Sequence, residues 1–361
     1  MTIKDSLKKF FIEEPKVGTV SESKEIDTNL PKINIKNKNL LYWLGLIPVF
    51  FIALYIRTRN LPLLQGKYLI ELDTYFFFRY AKMLLEQGTV PVWDYMRYVP
   101  TGLPTAPILF FPKTMVFFYK IAHFFFSNLS QIEWHIIYPP VITAISLIFF
   151  FLFVKELLGH RAAFISTAFL AVIPAYLQRT MAGFADHEAV AMLWIFISLW
   201  LFVLAWKSEN WKRFIPLSAI SGLFAGAMAA TWGGYALVVM SIALFALAST
   251  ILTNNCKKPF LRFLPWSIMY VASGTYFWMQ PFVDFAKLLP NLIILFTISF
   301  LMIHLILQCI PKLKEFKIPL PAISLLLTIS ALLTTNLLVD FADLKEFLIA
   351  LTKEGSNRVF S

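Results

Sequence analysis

Long apolar runs dominate this sequence and restrict it more than any other feature. Several approach or reach the roughly 20 residues that a helix needs to cross a bilayer. Their approximate limits are 40–56, 136–154, 162–178, 189–206, 214–230, 234–253, 263–280, 288–306 and 319–338. Runs of this length exclude a strand barrel, whose spans are shorter and alternate in polarity. Only 15% of residues are charged, against 58% hydrophobic; a soluble domain carries about 25% charged residues. The expected fold is all-α, a polytopic transmembrane helical protein with about nine spans.

The segment 106–126, "APILFFPKTMVFFYKIAHFFF", has two lysines and an internal proline. It is expected to be interfacial or re-entrant and is not counted among the nine. The loops support that count. The stretches "KELLGHR" (155–161), "KSENWKR" (207–213), "NNCKKPFLR" (254–262) and "CIPKLKEFK" (309–317) each hold at least two Lys or Arg. If the lysine-rich N-terminal segment 1–39 is cytoplasmic, alternation of nine spans places all four inside, as the positive-inside rule requires. A spanning 106–126 would put every one of them outside. The net charge of +11 therefore reflects topology, and no nucleic-acid partner is expected. Cys256 and Cys309 lie by the inside stretches and imply no disulfide scaffold.

Among the pieces that then fall on the external side are the long loop 57–135, the short loop around Asp186, the "TWGGY" turn at 231–235, and the tail from 339. Two acidic clusters share that side, Glu71-Leu72-Asp73 and Asp186-His187-Glu188. The first leads into "TYFFFRYAKMLLEQG", which is amphipathic. Its apolar face has Phe76, Phe77, Tyr80 and Leu84, its polar face Arg79, Lys82 and Glu86, and it is expected along the membrane surface. Carboxylates one residue apart can converge on a hard cation such as Mg²⁺ or Mn²⁺, which also binds substrate phosphates. His187 would point away from both acids in an extended turn but not in a helical one. Loop acids also commonly just face water, and adjacent glycines in "TWGGY" commonly just make a tight turn with Trp232 and Tyr235 as interface aromatics. Gly222 and Gly226 form a small-xxx-small pair suited to helix packing. Almost no charge lies inside the spans, which speaks against a transporter.

With these stretches in view, the chain resembles the catalytic subunit of oligosaccharyltransferases, in particular the archaeal single-subunit form, over residues 38 to 361. The resemblance runs through "ELDTYFFFR" (71–79), "WDYMRYVPTGLPTAP" (93–107), "AGFADHEAV" (182–190) and "ATWGGY" (230–235), in that order. It implies a C-type glycosyltransferase (GT-C) architecture in the cell membrane, N-terminus cytoplasmic and active site external. The implied reaction is an inverting, Mg²⁺- or Mn²⁺-dependent transfer of a glycan from a dolichyl-linked (di)phosphate, a lipid-linked oligosaccharide, to the Asn of an Asn-X-Ser/Thr sequon. It implies Asp73, Asp186 and Glu188 as metal ligands, and Asp73 with Glu71 as catalytic acids, Asp73 also holding the acceptor amide. His187 becomes a spacer between ligands and is grouped with Arg79 and Trp232 as donor-binding. The family's external Glu motif and its C-terminal domain with a Trp-Trp-Asp-Tyr-Gly-like string are not found in the sequence. The chain is therefore expected to be the N-terminal membrane part, 40–338 with 339–361 opening a last external loop. The alternatives are another polyprenyl-phosphate-dependent GT-C enzyme, a non-catalytic fragment and a lipid-carrier-binding membrane protein.

Overall fold

A computed structural model describes residues 38–105, 108–253, 255–278, 289–310 and 319–334. The expected tail 339–361 and nearly all of the segment 1–39 lie outside them. The described residues divide into two compact units, one of 38–238 with 265–278, the other of 239–264, 289–310 and 319–334.

The first unit begins with α1 (Lys38–Thr58) and the single turn α2 (Leu61–Leu64). Next come α3 (Leu72–Gln87), a two-residue antiparallel pair β1 (Trp93–Asp94) and β2 (Leu103–Pro104), and α4 (Phe110–Phe125). The long α5 (Gln131–Val172) starts at a capping box: the Ser130 hydroxyl accepts from Glu133 N–H while Glu133 accepts from Ser130 N–H at 2.9 Å. Two of the orphan donors of a helix start are satisfied in this way. Gly159 (φ 85°) breaks α5 into two limbs, which correspond to the expected spans 136–154 and 162–178. A short α6 (Pro174–Gln178), α7 (Glu188–Lys207) and α8 (Trp211–Ala229) follow. α9 (Tyr235–Thr253) and α10 (Lys257–Trp278) run from one unit to the other. α11 (Leu289–Gln308) and α12 (Leu320–Thr334) complete the second.

A helix thus stands at each expected span. Among the described residues, five helices are long and apolar enough to cross a membrane: 39–64, 131–172, 188–207, 235–253 and 290–308. The fold is all-α and polytopic, with β1–β2 a small local addition. α4, with 16 residues, is only ~24 Å long against a hydrocarbon core of ~30 Å. It packs as part of the protein. Its Phe111, Met115 and Tyr119 join Trp134, Tyr138 and Ile142 of α5 and Ala189, Leu193 and Ile197 of α7 in one buried cluster. Between apolar helices in lipid, such contacts stabilise by close packing rather than by leaving water. Gly222 and Gly226 show the same principle. A Cβ at Gly222 would strike the Trp266 carbonyl, and one at Gly226 the Ser273 hydroxyl. The backbones of α8 and α10 touch there, and no larger residue fits.

Within the first unit, the basic loops 155–161 and 207–213 meet, with Lys207 bonded to the Glu156 carbonyl and 3.8 Å from its carboxylate. They lie at the far end of α7 from Asp186. Both cysteines are free; Cys256 is buried and its thiol donates to the Leu301 carbonyl at 3.0 Å.

Candidate functional site

Backbone hydrogen bonds tie the two acidic clusters together. Ile70 N–H donates to Gly183 O at 3.0 Å, Gly183 N–H to Ile136 O at 2.8 Å, and Ala182 N–H to Arg57 O at 2.8 Å. The Asn60 amide donates to Ala182 O at 2.7 Å. The loop before Asp186 is thereby stitched to the ends of α1 and α5 and to the residue preceding Glu71. Gly183 has φ +86°, and a Cβ there would come within 2.8 Å of Leu64 and 3.1 Å of Ile70. Only glycine meets both demands at no cost. This is the physical content of the Gly-Phe that precedes the acid.

Asp186, His187 and Glu188 each offer a ligand atom, all within 4.8 Å of one another. The backbone causes the convergence. His187 is the N-cap of α7 with φ −70° and ψ −19°, so the turn is helical and the imidazole does not point away. Its Nδ1–H donates to Asp186 Oδ1 at 2.6 Å, and its backbone N–H to the same oxygen at 2.7 Å. Glu188 opens α7, where the helix dipole favours a negative charge. Its Oε2 is buried without a hydrogen-bond partner. Burial alone would raise the Asp186 carboxyl; the His187 hydrogen bond and charge, with Arg179, outweigh it and hold it below the ordinary value. Burial alone would lower His187; Asp186, then Glu188 and Asp73, outweigh it and raise it. Each of the two groups thus favours the charged form of the other.

Asp73 sits apart from this cluster. It is exposed in the first turn of α3, close enough for its charge to act on His187. It lines an open cleft of about 480 Å³, together with Phe76, Phe77, Arg79 and Arg97. Glu71 is half-buried and shares a cation with Glu188: Arg179 Nη1 is 3.8 Å from Glu71 Oε2 and 3.3 Å from Glu188 Oε1. Arg79 reaches neither acidic cluster. Its guanidinium pairs with Asp94, which also accepts from the Tyr80 hydroxyl at 2.6 Å. Trp232 comes to the site from the turn before α9, its ring 6.3 Å from that of His187. Phe77 and Phe111 stand edge-on to His187 at 5.9 and 6.3 Å, completing an aromatic wall round the imidazole.

Residue-by-residue reading of the sequence missed Arg179. The signal that could have found it is a basic residue in the short loop that leads into the acidic triplet.

Residues 49–346 match the family described as the N-terminal part of oligosaccharyl transferase STT3. The chain belongs to the STT3 family. It is similar to the Schizosaccharomyces pombe dolichyl-diphosphooligosaccharide–protein glycosyltransferase subunit stt3, 27% identical over 224 residues, covering 60% of this chain and 28% of that protein. The crystal structure of the apo Archaeoglobus fulgidus oligosaccharyltransferase shares its fold at TM-score 0.67 and 18% identity, over 90% of this chain and 40% of the other. That enzyme's complex with an inhibitory peptide and a dolichol-phosphate gives TM-score 0.64 at 17% identity, over 87% and 39%. This STT3-family chain has the polytopic helical architecture of the C-type glycosyltransferases, and it spans less than half the length of these relatives.

Proposed function

We propose that this chain binds a divalent cation, Mg²⁺ or Mn²⁺, and a dolichyl-linked (di)phosphate glycan donor. We further propose that it takes part in inverting transfer of the glycan to the Asn of an Asn-X-Ser/Thr sequon. The observation that carries this reading is the stitched pair of acidic clusters, with a Glu188 oxygen buried and unpartnered beside Asp186. Family membership and the name of the S. pombe relative support the reaction class. The dolichol-phosphate complex of the A. fulgidus enzyme supports the lipid donor.

The residues present fit a hard cation, since carboxylate oxygens predominate and one lacks a donor. Asp186, Glu188 and Asp73 would hold it, with His187 fixing the Asp186 carboxylate through its hydrogen bond. Once bound, the cation would neutralise charge on the departing phosphate. Arg179 relieves repulsion between Glu71 and Glu188. Asp73, exposed at the cleft, would accept hydrogen bonds from the acceptor amide and turn its nitrogen toward the sugar, with Glu71 beside it. Trp232, Phe77 and Phe111 keep water from the His187 side of the site, and Trp232 and His187 face the donor. Arg79 serves the donor only indirectly in this account, by fixing the loop that walls the cleft.

The proposed topology has segment 1–39 cytoplasmic, 40–338 as the membrane domain with loop 57–135 external, and 339–361 opening a further external loop. The site would face outward from the cell membrane. The position of the basic loops at the opposite end of α7 supports this.

A second reading rests on coverage, which is 28% of the S. pombe relative. In it the chain binds donor and metal, and transfer needs residues from a further domain or chain. A variant of it is sugar transfer to another acceptor.

Glycopeptide formation from a lipid-linked donor and an Asn-X-Thr peptide tests the main reading. Activity should require Mg²⁺ or Mn²⁺ and fall at least ~100-fold in Asp186→Ala and Asp73→Ala. Unchanged rates in both variants would sink the metal-site assignment. Metal binding without any glycopeptide would favour the second reading.

A further inference from the structure

The chain leading to the acidic triplet is broken just before it. α5 ends at Val172, Ile173 is extended (φ −62°, ψ 127°), and Pro174 has no N–H. The last carbonyls of a helix lack partners inside it, and Ala171 O is one of these. Arg57, at the end of α1, supplies the donor. Its Nη1 is 2.6 Å from Ala171 O, while its Nε donates to the Thr180 hydroxyl at 2.8 Å. One guanidinium therefore spans the break from end to end, and Tyr176, between those two contacts, lies with its ring 5.4 Å from the guanidinium carbon.

Packing does not explain this residue. Arg57 is fully buried, and among the described residues it forms no ion pair. An apolar side chain would fill the space without the cost of burying a cation. What Arg57 adds is geometry. Its side chain fixes Ala171 and Thr180, and its own carbonyl accepts from Ala182 N–H at 2.8 Å. Thr180 Oγ1 in turn donates to Tyr176 O at 2.5 Å, and the Tyr176 hydroxyl bonds Ser146 Oγ at 2.7 Å. The first limb of α5 thus joins the same network. A lysine ammonium donates from a single point, whereas guanidinium Nε and Nη1 diverge in a fixed fork. Only the fork spans both acceptors.

We infer that Arg57 is a positioning residue for the candidate metal site: by bridging Ala171 and Thr180 it fixes the run through Gly183 that sets Asp186 and Glu188. This rests on the reading that the triplet binds a divalent cation. The test uses the full chain in detergent, with Mn²⁺ titration followed by electron paramagnetic resonance. Amide hydrogen exchange over residues 181–185 gives a readout independent of metal. The wild-type chain should bind Mn²⁺ and Asp186→Asn should not. Arg57→Met and Arg57→Lys should bind about 10- to 100-fold more weakly and exchange faster at Ala182 and Gly183. Thr180→Val, which removes one acceptor, should shift both in the same direction. It decides the matter if the Arg57→Met chain does not fold. Wild-type affinity and exchange in Arg57→Lys would overturn the inference, because charge alone would then suffice. If the wild-type chain binds no Mn²⁺, the metal reading fails separately. Unchanged exchange in Arg57→Lys would then still overturn the role of Arg57.

Discussion

The two acidic clusters are neighbours built on opposite plans. Asp186 is 4% exposed, bonded twice to His187, and delivered by a loop whose backbone is stitched to α1 and α5. Asp73 is exposed on the first turn of α3, facing an open cleft, and none of the described contacts holds its carboxylate. Burial and fixed geometry suit a group that must hold a cation in one place. Exposure beside a cleft suits a group that must receive a substrate arriving from outside. The contrast suggests a division of labour, one half pre-organised and the other left accessible.

Gly183 is where the contrast breaks most completely. Gly183→Ala adds a Cβ at φ +86° that meets Leu64 at 2.8 Å. The strain is of order 1–3 kcal/mol, concentrated in the loop that carries Asp186. Mn²⁺ affinity should fall about tenfold or more, while Asp73 and its cleft keep their form. A titration of this variant with Mn²⁺ checks the outcome, and unaltered affinity would show that the loop does not need its stitched geometry.

An intermediate effect is expected from pH, because the two regions respond in opposite senses. In the metal-free chain His187 is raised. Its pairing therefore stabilises fully below the ordinary histidine value of about 6.5 and is lost as pH rises through the higher folded value. Asp94, which anchors the loop beside the Asp73 cleft, is lowered. Burial alone would raise it, but Tyr80, Met96 and Arg79 outweigh that. Its contribution is present above the ordinary aspartate value of about 3.9 and is lost only as pH falls through the lower folded value. Histidine NMR titration should show the first transition above 6.5, and Trp93 fluorescence the second below 4. A shared transition would merge the two regions into one.

The smallest effect concerns the cation between them. Arg179 is about half exposed, and ion pairs of that kind contribute roughly 0–1 kcal/mol. Arg179→Gln should leave thermal stability within that range while changing Mn²⁺ affinity through Glu188. A large loss of stability would make Arg179 a structural clamp instead.

Much of the fold was legible in the apolar runs, since a span must be long and uniformly apolar whatever it packs against. The two lysines and proline of 106–126 likewise set that segment apart, and the short α4 (Phe110–Phe125) lies within it. The site was legible as chemistry but not as geometry. The triplet Asp186-His187-Glu188 could be read; whether His187 faces its neighbours depends on one pair of backbone angles at an N-cap, which the sequence left open. Arg57 finds Ala171 and Thr180, and Arg179 finds Glu71, across long stretches of chain, and no local pattern encodes such contacts. Arg79 shows the converse: its partner Asp94 is near in sequence, yet the resemblance grouped Arg79 with the donor-binding residues.

The central claim is that the triplet holds a divalent cation, and direct Mn²⁺ binding tests it most simply. Electron paramagnetic resonance of the full chain should report one tightly bound Mn²⁺ that Mg²⁺ displaces. The same site should be lost in Asp186→Ala and in Glu188→Ala but only weakened in Asp73→Asn. Equal binding by the wild type and Asp186→Ala, or none by the wild type, would contradict the account.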